Sequence, residues 1–342
     1  MKFGPVPLAE AEGKILGHNV ADDAGKRRLR KGKPLRAEDV SVLRELGRSM
    51  VYVAELEPGD VDENTAANRV AHLCLGRGLR LSGAAAGRIN LIATVLGLVR
   101  IDVGQLRRLN EGEGLTVASL GQHAVVRPGQ TVATVKVIPY AVPESVVAAL
   151  IGQAGRPLLP SLNVDELASK RVGLILSGSP SVRGPLSESF FPLVERVRAL
   201  GSDVVEQDYV DVGVESGEQA LAEALERQRD MGVEVILFAG ETAVMDRHDI
   251  TPRAVERAGG RVEVVGAPVD PGNLLMLAYL NDIPILGAPG CARSRKMNVI
   301  DWVLPRLLAG DRLTREDIIK LGPGGLLEDV PERPLPRSRI ES

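Results

Sequence analysis

The residues best placed to do chemistry lie in the C-terminal half. Pro289-Gly290 follows the apolar run Ile283 to Leu286 and precedes Arg293, Ser294, Arg295 and Lys296. A strand ending and a helix starting there would form an anion site. Glycine lets backbone approach a ligand closely, and a helix start offers unpaired N–H groups and a positive dipole end. A second Pro-Gly pair occurs in Pro271-Gly272-Asn273. Ser177-Gly178-Ser179-Pro180-Ser181 supplies N–H and O–H donors suited to phosphate; as a bare surface turn it would do nothing. The loop from Ala239 to Asp249 contains Gly240, Glu241, Thr242, Asp246 and Asp249. Three carboxylates in one loop suit Mg²⁺ bridged to a phosphate, whose charge Arg293, Arg295 and Lys296 could neutralise. Asp249 is the first expected metal ligand and catalytic group, followed by Asp246, with Glu241 behind them. Capping the next helix is an equal alternative for Asp249. His248 reads as a surface residue and Cys291 as a small packed one.

Elements that would position these residues alternate. Arg171 to Leu176, Asp203 to Val210, Val233 to Phe238, Arg261 to Gly266, Leu274 to Leu280 and Ile283 to Leu286 read as strands. Leu186 to Leu200, Ser216 to Met231, a segment with Thr251 as N-cap and Pro252 behind it, and Asn298 to Leu308 read as helices. The pattern predicts an α/β domain with a doubly wound, mostly parallel sheet. Ligands of such sheets lie beyond the carboxyl ends of the strands, where the three loops fall. The N-terminal half predicts an α+β region. Its expected helices are Ala37 to Leu46, Asn64 to Leu75 and Ile89 to Leu98, the last entered through Ser82 to Gly87. Its expected strands are Met50 to Ala54, Thr116 to Leu120 and Thr131 to Pro139. The expected domains are 1–168, 169–312 and a partly disordered extension over 313–342, with a linker in 157–169.

Composition narrows the class. The chain has 342 residues, 44% apolar and 25% charged, with a net charge of -3. Such a balance gives no electrostatic reason for nucleic-acid or membrane affinity. Aromatics at 3% leave little to stack bases. No apolar run reaches transmembrane length. Cys74 and Cys291 have no metal-site spacing, so a reducing cytoplasm is the expected setting. Seven of the eleven residues from Lys26 to Arg36 are cationic. They read as a solvated hairpin, the alternative being a clamp on a nucleotide phosphate or an acidic partner.

From Arg171 to Gly310 the order of loops resembles the molybdopterin-binding domain of molybdenum cofactor biosynthesis proteins. A Thr/Ser-Gly-Ser loop is matched by Ser177-Gly178-Ser179, and a Gly-Gly-x-Ser loop with Asp before Thr-Pro by Ala239 to Thr242 and Asp249 to Pro252. A Pro-Gly loop is matched by Pro271-Gly272-Asn273, and Leu-Pro-Gly-Asn-Pro by Ala288 to Ala292. The segment Ala288 to Lys296 and the tail Gly324 to Leu327 resemble a bacterial subgroup in which this domain precedes a cytidylyltransferase-like one. The resemblance implies molybdopterin, or the adenylylated or metallated molybdenum cofactor, as ligand. It implies Mg²⁺-dependent AMP transfer or release, or else a carrier handing the cofactor to a nucleotidyltransferase or target enzyme. It also implies self-association. A nucleotide hydrolase on the same fold is the third reading. Asn273 stands where molybdenum-insertion enzymes often carry Lys, and Cys291-Ala292 where the pattern has Asn-Pro; these departures favour binding over turnover.

Overall fold

The computed structural model describes residues 1–152, 160–213, 216–270 and 272–327. It is a mixed α/β structure of two compact units, Met1–Asp165 and Glu166–Ser342. The start of the expected linker over 157–169, at 157–159, and the end of the chain from 328 lie outside the described residues, and the rest of that linker holds the strand Leu162–Glu166.

In the first unit the chain runs β1 (Lys2–Pro7), β2 (Ile15–Leu16), β3 (Val20–Ala21), β4 (Arg27–Leu29), α1 (Ala37–Glu45), β5 (Met50–Glu55) and β6 (Asp60–Asp62). It continues through α2 (Glu63–Cys74), β7 (Leu79–Leu81), β8 (Arg88–Ala93), β9 (Gly97–Ile101), α3 (Val103–Asn110) and β10 (Leu115–Ser119). β11 (Val125–Val126), β12 (Thr131–Val137), β13 (Ala141–Pro143), α4 (Glu144–Gly152) and β14 (Leu162–Glu166) complete it. The strand pairs β1–β5, β10–β12, β12–β8 and β7–β8 are all antiparallel. α2 starts because the Asp62 carboxylate accepts from the N–H groups of Asn64 and Thr65. Its small face, Ala66, Ala67, Val70, Ala71 and Cys74, then packs on Ile89 and Leu91 of β8 and Val135 of β12. That packing corrects the helix expected over Ile89 to Leu98. Ile89, Leu91 and Ala93 are buried at every second position, which is strand spacing. Ser82 to Gly87 is accordingly the turn joining β7 to β8. Burial pushes the Cys74 thiol up to about 11, so it stays protonated at neutral pH.

The second unit is built from β15 (Arg171–Gly178), α5 (Arg183–Ser189), α6 (Phe191–Ala199), β16 (Asp203–Asp211), α7 (Gly217–Asp230) and β17 (Val235–Gly240). α8 (Ile250–Arg257), β18 (Arg261–Ala267), β19 (Asn273–Leu280), β20 (Ile283–Gly287), α9 (Ile300–Leu308) and α10 (Arg315–Ile319) follow. One six-stranded sheet has the order β16-β15-β17-β20-β19-β18. β16, β15, β17 and β20 are parallel, whereas β20–β19 and β19–β18 are antiparallel. The doubly wound, mostly parallel sheet is therefore met only in its first four strands. The reversal follows from the two-residue connection between β19 and β20, which is too short for a parallel crossover.

Both faces of this sheet are covered. Ile175, Ile236, Phe238, Met276, Ala278 and Ile285 pack with Leu221, Leu225, Ala254 and Val255 of α7 and α8. Their neighbours Leu174, Leu176, Leu237, Leu277 and Leu286 point the other way and are also buried. The helix expected over Leu186 to Leu200 is two helices, because Phe190 leaves helical geometry ahead of Pro192. Residues 313–327, expected within a partly disordered extension, hold α10 and a turn. Thr314 caps α10 through Asp317, and Leu327 N–H donates to Asp270.

Candidate functional site

The carboxyl ends of β15, β17 and β20 lie side by side, Ser177 opposite Gly240 and Phe238 opposite Gly287. β19 enters at the same edge because it runs antiparallel to β20, with Met276 opposite Gly287. Ser177, Gly178, Ser179, Gly240, Gly272, Asn273, Pro289 and Gly290 all sit in or beside these strand ends. Pro271 lies outside the described residues.

The loops are tied to one another. Glu241 N–H donates to the Ser177 carbonyl at 2.8 Å, and Ser179 N–H donates to the Glu241 carboxylate at 2.8 Å. Tyr209, on the edge strand β16, donates its hydroxyl to the Ser179 carbonyl at 2.6 Å. Gly178 is required between them. A Cβ there would lie 2.9 Å from the Glu241 Cβ and 3.0 Å from the Tyr209 hydroxyl. Burial first, then the Glu241 and Asp211 charges, push the Tyr209 phenol above its ordinary range.

Arg293 reaches across from the last loop. Its guanidinium donates to the Gly240 carbonyl at 3.2 Å and lies over the Phe190 ring, 4.7 Å from its centre. Thus the cation is exposed yet braced at two points. Arg196 holds the same loop from behind, pairing with Asp301 at 2.8 Å and donating to the Lys296 carbonyl at 2.9 Å. Asn298 donates to the carbonyls of Cys291 and Lys296, and Ser294 Oγ accepts from Lys296 N–H. Arg295 pairs with Glu195 and so is drawn from the role expected of it. Asn273 is buried. Its Nδ2 lies 3.5 Å from the Cys291 sulfur, and its Oδ1 has no partner among the described residues. Burial raises the Cys291 thiol.

Two expectations are corrected here. No helix starts at Pro289-Gly290. A single 3₁₀ turn, Gly290–Arg293, follows, and α9 begins only at Ile300; the anion-binding helix N-terminus is absent because Asn298 accepts from Ile300 N–H at the real helix start. Thr251 is not the N-cap of α8, since Asp249 occupies that position. Its carboxylate accepts instead from Met245 N–H at 2.7 Å. Glu241, Asp246 and Asp249 each accept from a backbone N–H. Asp246 accepts from His248 N–H, each of the three closes its own backbone turn or bridge, and no group of three or more His, Cys, Asp or Glu could hold a metal ion among the described residues. Thr242 is exposed beside Gly240, and neither Asp246 nor Asp249 is hydrogen-bonded to the other loops.

Tyr209, Phe190, Arg196 and Asn298 went unnoticed in the sequence. Three of them act over long separations, 30 residues for Tyr209 and 105 for Arg196 with Asp301, so no local pattern marks them; Asn298 acts locally, on Cys291 and Lys296 seven and two residues before it.

Residues 5–55 match a family model described as a domain of unknown function (DUF8806). No curated protein matches the chain. Among solved structures, a molybdenum cofactor biosynthesis protein from Pyrococcus furiosus is 12% identical, with a TM-score of 0.26; the alignment covers 93% of this chain and 65% of that one. Molybdenum cofactor biosynthesis protein B is 17% identical, with a TM-score of 0.27, covering 46% of this chain and 92% of that one. The molybdopterin biosynthesis Mog protein from Mycobacterium ulcerans is 17% identical, with a TM-score of 0.28, covering 40% and 92%. Likenesses at TM-scores of this size say nothing by themselves of a shared ligand. No helix among the described residues is long and apolar enough to cross a membrane.

Proposed function

We propose that the second unit binds the phosphate-bearing end of molybdopterin, or of its adenylylated or metallated form, at the carboxyl edge of β15, β17 and β20. The observation that carries this is Arg293, an exposed guanidinium braced on Phe190 and on the Gly240 carbonyl. A cation held this way loses little freedom when it takes a phosphate. The order of loops from Ser177 to Lys296 supports a pterin phosphate over other anions. Glu241, Asp246 and Asp249 are engaged with backbone N–H groups, which favours a carrier over an enzyme. AMP transfer or release with Mg²⁺ brought in on the ligand's phosphate is the stronger form of the reading. Delivery to a nucleotidyltransferase and self-association belong to the same proposal.

Anaerobic titration with molybdopterin, with and without AMP, molybdate and Mg²⁺, tests it. Binding that Arg293→Gln weakens about tenfold to a hundredfold is the expected result. Mg²⁺-dependent AMP release would select the enzyme. Failure to bind any pterin form would overturn the reading, and hydrolysis of a nucleotide instead would point to the third reading of the fold.

A further inference from the structure

The first unit contains a cavity of about 1220 Å³, above the roughly 300–1,000 Å³ usual for drug-sized ligands. One wall is the turn between β7 and β8. Lys136 Nζ donates to the Ala86 carbonyl at 2.7 Å and lies 3.3 Å from a Glu63 carboxylate oxygen. Gly87, at φ +67°, fits under this pair. A Cβ there would lie 2.5 Å from Glu63 Oε2 and 2.8 Å from Lys136 Nζ. The turn is thereby pinned and the next residue, Arg88, is held at the cavity.

Arg88 and Lys31 both line the cavity. Neither side chain has a hydrogen bond or ion pair among the described residues, although their neighbours do: Lys33 pairs with Asp39, and Arg28 with Asp22. Most of the basic run is thus an exposed hairpin paired with carboxylates or open to water, and Lys31 is the member that turns to a concavity. Lys31, Arg88 and Lys136 outnumber Glu63 and Glu113 in the lining, and that excess of positive charge concentrates anions there. Arg88 adds the planar fork that matches a phosphate.

The same hollow has an aromatic side. The chain has only four Phe and four Tyr. Phe3 and His18 line the cavity and meet edge to face at 5.6 Å, and Tyr52 stands 5.5 Å behind His18. Phe3 is 46% exposed, a large ring left open beside the cations. Glu113, also in the lining, offers an acceptor for hydroxyl groups.

We propose that this cavity binds a nucleoside phosphate, with its phosphate on Arg88 and Lys31, its base against Phe3 and His18, and its sugar hydroxyls at Glu113. The site is separate from the pterin reading and does not rest on it. Calorimetric titration of the full chain with AMP, ATP and inorganic phosphate tests the proposal. AMP and ATP should bind more tightly than inorganic phosphate. Arg88→Gln and Lys31→Gln should each weaken them about tenfold or more. Phe3→Ala should weaken the nucleotides and leave inorganic phosphate unchanged. Lys26→Gln, in the same basic run but outside the lining, should change nothing. No nucleotide binding at millimolar concentration would overturn the proposal. So would binding kept in Arg88→Gln but lost in Arg293→Gln, which would put the nucleotide on the second unit. Inorganic phosphate as tight as AMP would remove the nucleoside from it.

Discussion

The two units present polar groups to their hollows in opposite ways. At the strand edge of the second unit the polar groups are mostly spent on one another: Glu241 on Ser179, Arg293 on the Gly240 carbonyl, Asn298 on the last loop. In the cavity of the first unit Lys136 is paired with Glu63, the Met1 amine with Glu57 and Asp60, and the Tyr140 hydroxyl with the Gly17 carbonyl, whereas the side chains of Arg88 and Lys31 line the hollow with no protein partner among the described residues. The difference is one of preorganisation. The edge holds a fixed frame into which a ligand must fit, and its own Glu241 carboxylate occupies a loop N–H that an anion would use. The cavity holds cations that are exposed to water and that a ligand could take without breaking a bond within the protein.

Substitutions can break or sharpen this contrast, and the largest effect is expected in the core behind the edge. Leu237 is fully buried in β17, and Leu237→Ala should cost about 2–5 kcal/mol in urea unfolding. An unchanged midpoint would mean that β17 does not anchor the edge. Gly178→Ala should cost about 1–3 kcal/mol, because Glu241 and Tyr209 must move. Gly83→Ala in the first unit, where a Cβ meets nothing within 4 Å, should stay within about 0.5 kcal/mol. Equal costs for the two glycines would erase the contrast between a fixed frame and an open wall.

Asp317 offers a pH-dependent test of the second unit. Burial would raise its carboxyl. The Thr314 N–H and hydroxyl and the Arg306 guanidinium outweigh that and hold it at about 2, below the ordinary 3.8. Its stabilisation is therefore full above the unfolded value and fades as pH falls through 3.8 toward 2. Asp317→Asn should cost at most about 2 kcal/mol at neutral pH, a cost that shrinks as pH falls through 3.8 and is gone only below about pH 2. A deficit that did not shrink with acid would assign the effect to packing. The smallest expected effect is at Glu241. Glu241→Gln keeps the bridge to Ser179 but removes a negative charge from the edge, and should tighten inorganic phosphate there by about fivefold. Weaker binding would mean that the carboxylate shapes the edge more than it repels anions.

Much of the second unit was legible. Arg171 to Leu176 and Val233 to Phe238 are apolar runs bounded by small residues, and buried parallel strands need that pattern. The first unit was less so. Ile89 to Leu98 reads as a helix in sequence because the small residues before it resemble a helix entry, while the alternation of Ile89, Leu91 and Ala93 is only three positions long. The site was legible as loops but not as contacts. Three acidic residues in one loop were legible as a cluster, but not that Glu241 accepts from Ser179 N–H 62 residues away while Asp246 and Asp249 accept from N–H groups of their own loop.

By itself the sequence determined the strand and helix alternation after Arg171, and the placing of Ser177, Gly240 and Pro289 at strand ends. Period and turn chemistry are local, and neighbouring residues suffice to express them. Only the tertiary structure decided that β19 runs against β20, that Arg293 rests on Phe190, and that Lys31 and Arg88, 57 positions apart, face one cavity. Those outcomes depend on strand order and on which side chains reach each other after packing, and no spacing along the chain encodes them.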